Sequence, residues 1–354
     1  MKSLRIVDSG LRNARENLSV TEALCRLHRA GQGEGVETFR FQHFPPSAII
    51  GRHQVLEREV NLAFCAQSGI GTARRMTGGG AIVMGPGILG WELILSRKHV
   101  PQNLGAVAEL ICGGVAAGLQ KLRVPAAFRP RNDVEVEGRK VCGTGGYFDG
   151  DTLVFQGTVL VELDEALLTQ ALHLPAHKLG KRGLDSLKDR VTDLKTVLGH
   201  PVPMGDVQAA LAHSVASALG LHAELGSLTQ AEEALAREVF EAEIGRDAFV
   251  EGYDDAFAKG GATLAHRHAL PFGEIEVALK LREGKRVDQV MITGDFFVTP
   301  PRIIADLEAH LRQRPLAELA ASAAAFLEAQ GAAFLGLAPT DMVAAIAGAA
   351  EKTS

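Results

Sequence analysis

The chain has little that announces a chemistry. Its four cysteines, Cys25, Cys65, Cys112 and Cys142, are scattered through 354 residues, with no CxxC pair and no histidine spacing of the kind that holds zinc. That pattern reads as reduced thiols without a structural metal. No uninterrupted apolar run is long enough to span a bilayer, and the opening "MKSLRIVDSG" lacks the apolar centre of a secretory leader. A cytoplasmic protein without a membrane is therefore expected. The net charge of −5 leaves no overall electrostatic footprint for nucleic acid, so any basic site must be local. No GxxxxGK[ST] phosphate loop occurs, and no GxGxxG opens a helix after a strand.

What is present is ordinary in bulk and unusual in detail. Hydrophobic residues make up 46% and charged residues 22% of the chain, and the length allows about two domains. "NLSVTEALCRLHRAG" (17–31) reads as a helix opened by a Ser19–Glu22 capping box. "AIIGRHQ" reads as a short buried strand. "AIVMGPGILGWELILS" (81–96) reads as a hairpin about Gly-Pro-Gly, residues 104–122 as a buried helix, and 133–164 as three strands. After residue 200 come two helices, then a second hairpin at 273–297 turning at "REGK", then one or two alanine-rich helices. A boundary is expected inside charged helical sequence, giving a unit at 1–250 with a connector from about 227 and a smaller unit at 251–354.

Two glycine clusters follow basic residues. "RRMTGGGAIVMGPG" (74–87) places Arg74 and Arg75 ahead of three glycines, and "GRKVCGTGG" (138–146) places Lys140 ahead of a second cluster. Glycine there reads either as a tight turn or as backbone that approaches an anionic ligand. A third basic stretch, "HKLGKRGLDSLKDRVTDL" (177–194), reads alone as a solvated loop.

Taken in order, RR-x-T-GGG-A, RND, GRK-x-x-G, QGT-x-L and SLKDRVTDL resemble the lipoate–protein ligase family, which shares its catalytic fold with biotin protein ligases. "GEIEVALKLREGKRVDQVMITGDFF" is similar to the accessory domain of full-length lipoate ligases. The resemblance implies an α+β fold: a mixed-sheet catalytic domain followed by a smaller α+β accessory domain. It implies ATP, Mg2+ and lipoate, a lipoyl-AMP intermediate, and transfer to one lysine of an acceptor. That acceptor would be a lipoyl domain of a 2-oxoacid dehydrogenase, a glycine-cleavage H protein or an H-like carrier. A monomer that binds no nucleic acid is expected.

By the same resemblance, Arg74 and Arg75 bind phosphate, and Thr77, Gly78, Gly79, Gly80, Ala81, Ile82 and Val83 form the wall against the ligand. Lys140 is the catalytic cation. Asn132 and Asp133 handle adenylate, with Asp133 toward magnesium, and Gly143, Gly145, Gln156, Gly157 and Thr158 complete the pocket. Lys178, Lys181, Arg182 and Lys188 lie in a loop that closes over the adenylate. The sequence departs from the family pattern at Met84 and Gly85 (commonly His-Asp), at Gln156 (commonly His) and at Cys142 (commonly Ser). Related octanoyltransferases use a cysteine nucleophile, so an acyl transferase remains an alternative, as does a non-catalytic acyl-adenylate binder. Cys142 stands at a backbone-lining position, unlike the nucleophile of those transferases, and reads as a small buried hydrophobe. Asp295 of "TGDFF" reads as a turn residue.

Overall fold

A computed structural model describes residues 3–31, 36–173, 190–252, 264–270 and 273–352. The strands run β1 Ser3–Leu11, β2 Glu37–His43, β3 Ser47–Ile50, β4 Gly71–Arg74, β5 Ile82–Met84, β6 Ile88–Ser96, β7 Ala127–Arg129, β8 Asp133–Val136, β9 Arg139–Asp149, β10 Thr152–Leu160 and β11 His222–Gly226. The second unit adds β12 Leu264–Leu270, β13 Gly273–Arg282, β14 Arg286–Gly294, β15 Phe297–Thr299 and β16 Ala333–Leu335. The fold is the expected α+β class.

Eight strands form one mixed sheet in the order β11-β1-β2-β6-β10-β9-β8-β7. Strict alternation along the central strands sorts its two faces. Phe39, Phe41, Trp91, Leu93 and Phe155 point into a core closed by the helices Leu104–Lys121 and Met204–Ala218. Their neighbours Arg40, Gln42, Glu92, Ile94, Val154 and Gln156 point the other way, toward the helices Ala14–Arg29 and Gln230–Val239. The glycine loop lies on this second, partly polar side.

The first helix opens earlier than read from sequence. Its cap is Asn13, reciprocated by Glu16, while Ser19 lies inside the helix with its hydroxyl on the Arg15 carbonyl. Asn is as good a cap as Ser, and the apolar stripe begins at Ala14. The expected hairpin at 81–96 is also not one. β5 pairs with β3 in a separate three-stranded sheet, whereas β6 joins the large sheet between β2 and β10. Gly87 makes the crossing possible, because a Cβ there would stand 1.9 Å from the Glu162 carbonyl oxygen.

Residues 230–251 pack on the first unit. Four ion pairs strap them down: Arg5–Glu232, Arg12–Glu233, Arg26–Glu243 and Arg15–Asp247, at 2.5 to 2.7 Å. The second unit holds its own core, in which Ile275, Val277 and Ile292 of the β12-β13-β14 sheet meet Ile304, Leu307, Leu319 and Ile346 from three helices. The alanine-rich stretch forms two helices, Ile303–Leu311 and Leu319–Ala329, and a further one, Pro339–Glu351, follows.

Candidate active site

The triple-glycine loop is built from within. Arg75 N–H donates to the Ile50 carbonyl, and the Arg75 guanidinium curls back to the carbonyls of Gly78 and Gly80 at 2.6 and 2.8 Å and to that of Ile49. Burial pushes its pKa down to about 10. Arg74 is buried deeper, and its donors are shared among the carbonyls of Gly51, Arg52, Gln54, Phe249 and Val250. The guanidiniums of the two arginines expected to hold phosphate are directed at main-chain oxygens in this structure. A buried cation must be satisfied by fixed acceptors, and carbonyls at the end of the 247–251 helix supply them.

Lys140 is placed differently. Its main chain is pinned by Arg190 and Thr192, through Lys140 N–H to the Arg190 carbonyl and Thr192 N–H to the Lys140 carbonyl. Its half-exposed side chain lies over Gly143 and reaches Asp133 Oδ1 at 2.7 Å. A Cβ on Gly143 would stand 2.5 Å from both Cε and Nζ of Lys140, so this glycine is the floor of the lysine's berth. Asn132 braces the next turn: its amide donates to the Thr144 carbonyl, and its own carbonyl accepts from Thr144 N–H and Oγ1–H. Lys140, Asp133, Gly143 and Asn132 thus form one cluster at the β8–β9 pair.

Gln156 connects the loop to the sheet interior. Thr77 Oγ1–H donates to Gln156 Oε1 at 3.1 Å, and Gln156 Nε2 donates to Glu92. Gly157, by contrast, turns away from the site: a Cβ there would meet the Trp91 ring at 2.2 Å, so its missing side chain makes room for the core indole. Val83 is buried in the core under the small sheet, whereas Ala81, Ile82 and Thr158 are half-buried. The four loop positions Lys178, Lys181, Arg182 and Lys188 lie outside the described residues.

What covers the glycines was not foreseen. The Gly79 amide donates to the Phe296 carbonyl at 3.1 Å, and a Cβ on Gly78 would stand 1.8 Å from that same oxygen. Phe297 lies on Gly79 and Gly145; a Cβ on Gly145 would be 1.9 Å from Phe297 Cε1. His53 stacks on Phe296 with ring centroids 4.9 Å apart, and its carbonyl accepts from Gly294 N–H. Arg58 and Arg267 share Glu276, each at 2.7 Å. The close backbone approach read from the glycines is real, and in this conformation the second unit makes it. Asp295 accepts from Glu274 N–H at 3.0 Å, which makes it a turn residue as read from sequence. The signal for Phe296 and Phe297 was only a "DFF" after an alternating run.

All four cysteines are buried. Burial pushes the Cys25 and Cys112 thiols up to about 12, and raises those of Cys65 and Cys142 as well.

The α+β fold carries a triple-glycine loop, a glycine-rich strand β9 and the Lys140–Asp133 ion pair on β9 and β8. Residues 13–216 match the lipoyl protein ligase A/B catalytic domain, and the chain belongs to that family. It is 30% identical over 266 residues to the octanoyltransferase LipM of Symbiobacterium thermophilum, a stretch covering 69% of this chain and 96% of that one. A structure from an archaeal lipoylation system, described as a bipartite lipoate protein ligase and its E2 lipoyl domain from Thermoplasma acidophilum, superposes with a TM-score of 0.64 at 26% identity, over 71% of this chain and 97% of its own. A lipoate-protein ligase A bound with ATP superposes with a TM-score of 0.61 at 25% identity, over 71% and 99%. The LipL1 structure from P. falciparum extends the shared fold to 92% of this chain and 94% of its own, with a TM-score of 0.72 at 15% identity. The chain is an enzyme of the lipoate ligase and octanoyltransferase family. Among the described residues no helix is long and apolar enough to cross a membrane.

Proposed function

We propose that this enzyme is an ATP-dependent lipoate–protein ligase that activates lipoate as lipoyl-AMP and passes the lipoyl group to a lysine of an acceptor protein. The observation that carries this reading is the state of the thiols. A transferase of the thioester type needs an accessible thiolate. Each of the four cysteines in the chain is buried with its thiol pKa raised, while Lys140 is open beside Asp133. Similarity to an ATP-bound ligase fits this reading, while similarity to the octanoyltransferase LipM fits the transferase equally.

In this reading the lipoate carboxylate attacks the α-phosphorus of ATP, a C–O–P anhydride forms, and pyrophosphate leaves. The acceptor amine then attacks the anhydride carbonyl; the C–N bond forms and AMP departs with the C–O bonding electrons. Lys140, steadied by Asp133, stabilises the charge that develops at carbonyl and phosphate as a cation held in a fixed place. Asp133 would hold magnesium, which would supply neutralisation of the ATP phosphate charge. Asp133 has one carboxylate oxygen on Lys140 and offers the other. Asn132, Gly143, Gly145 and Thr158 line the adenylate side. The Gly79 amide becomes available to an anion when Phe296 withdraws, so the second unit moves during the cycle. The acceptor is a lipoyl domain or an H-type protein; the E2 lipoyl domain named alongside the archaeal ligase supports the first.

The test is incubation with ATP, magnesium and lipoate against a panel of apo acceptors, with pyrophosphate measured and products weighed by mass spectrometry. Lipoylation only from a carrier-bound acyl donor, without pyrophosphate, would establish the transferase instead.

A further inference from the structure

On the polar side of the large sheet, three charged or amide side chains stand in a row across adjacent strands. Register pairs Arg40 with Glu92 and Glu92 with Gln156, and Gln156 in turn with Gly145. Arg40 and Glu92 are completely buried, 2.6 Å apart. The row leaves the interior at Gln156, whose far side meets Thr77 at the head of the triple-glycine loop.

We infer that Glu92 is a positioning residue for the active site, acting through Gln156 on the hydroxyl of Thr77. A buried ion pair is poor evidence for stability, since apolar residues of the same volume commonly do as well. Its use here is directional. Glu92 Oε1 accepts from Arg40 Nε, and Oε2 accepts from Thr21 Oγ1 at 2.6 Å, Gln42 Nε2 at 2.8 Å and Gln156 Nε2 at 3.0 Å. An ionised carboxylate only accepts, so the Gln156 amide must present its NH2 inward and its oxygen toward the loop. That oxygen takes the Thr77 proton, which fixes the side chain next to Gly78. Arg40 aims the carboxylate, with its remaining donors on Ser9 Oγ, Thr21 Oγ1 and both oxygens of Asn17. None of Arg40, Glu92, Thr21 or Gln42 needs to touch a substrate for this.

The consequence for turnover rests on the ligase reading; the loop geometry does not. Two readouts separate them, both on the full chain: hydrogen exchange of the 74–80 segment without ligand, and pyrophosphate release with ATP and lipoate. Glu92→Gln replaces an acceptor with a group whose NH2 faces donors, and Gln156→Met removes the relay while leaving Arg40–Glu92 intact. Each single change is expected to speed exchange at 77–80 and to lower pyrophosphate release, both by roughly tenfold, the scale of one hydrogen bond to a charged group. The double variant is expected to match Gln156→Met, because Glu92 has no other route to Thr77. If Glu92→Gln does not fold, Thr77→Val and Gln156→Met supply the same comparison along the relay. Multiplying effects in the double variant, or unchanged exchange in Gln156→Met, would overturn the inference. Coupled exchange in a protein that releases no pyrophosphate would uphold the positioning and reject the ligase reading.

Discussion

The docking of the second unit on the triple-glycine loop and strand β9 has a sharp energetic signature at Gly145. This residue lies in strand β9 with ordinary extended backbone, so a methyl group is locally welcome. By restricting the unfolded chain, Gly145→Ala alone would stabilise the protein by about 0.4–1 kcal/mol. The added Cβ would stand 1.9 Å from Phe297 Cε1, 2.3 Å from Cζ and 2.8 Å from Cδ1. No real contact is that short, so the ring must move, at an overpacking cost of about 1–3 kcal/mol. The net expectation is a loss of roughly 1–2 kcal/mol, together with faster proteolysis between the two units. In a Phe297→Ala background the clash is gone, and Gly145→Ala becomes neutral or stabilising. The sign should reverse between backgrounds, measured by denaturant or thermal unfolding of the four members of the cycle. Equal destabilisation in both backgrounds would mean that Phe297 does not lie over Gly145 in solution.

Three further outcomes are expected. Lys140→Ala should unfold within about 1 kcal/mol of the parent, since its ion pair is half-exposed, yet lose at least about a hundredfold in pyrophosphate release; Lys140→Arg should fail too, because the guanidinium fork does not fit the berth over Gly143. Cys142→Ser should keep most activity at a stability cost of about 1–2 kcal/mol for a buried hydroxyl, and mass spectrometry that traps an acyl thioester on Cys142 would refute the ligase reading. His53 is held down to about 3 by burial and by the charges of Arg52 and Arg74, and it regains the part of its basicity that burial under Phe296 removes when Phe296 uncovers it. The docked form therefore binds fewer protons than the open one, and docking weakens as pH falls, by less than about tenfold per unit. Small-angle scattering at pH 7.5 and 5 should show the opening, and His53→Leu should remove the dependence.

How much of this was legible beforehand follows from the range of each interaction. The three strands of 133–164, the 104–121 helix and the second hairpin rest on alternation, helical period and turn residues within a few positions, and all of these formed. Lys140 and the glycine loops stood out because basic residues ahead of glycine runs are unusual, and the order of those runs carried the resemblance to the family that the comparisons then established. The short β11 and β12 were passed over, since each is held by its neighbour strand rather than by a strong pattern of its own.

What tertiary structure alone decided lies at long range. That the Arg74 guanidinium meets the carbonyls of Phe249 and Val250, 175 and 176 residues away, only the fold shows. The β5–β6 hairpin failed because β3 competed successfully for β5, and Gly145 turned out to serve Phe297, far along the chain. Arg40, Glu92 and Gln156 have nothing in common as letters; they became a row only when β6 settled between β2 and β10. Local periodicity records which face of a strand is buried, but which strand lies beside it is chosen by packing between segments that leave no mark on one another's sequence.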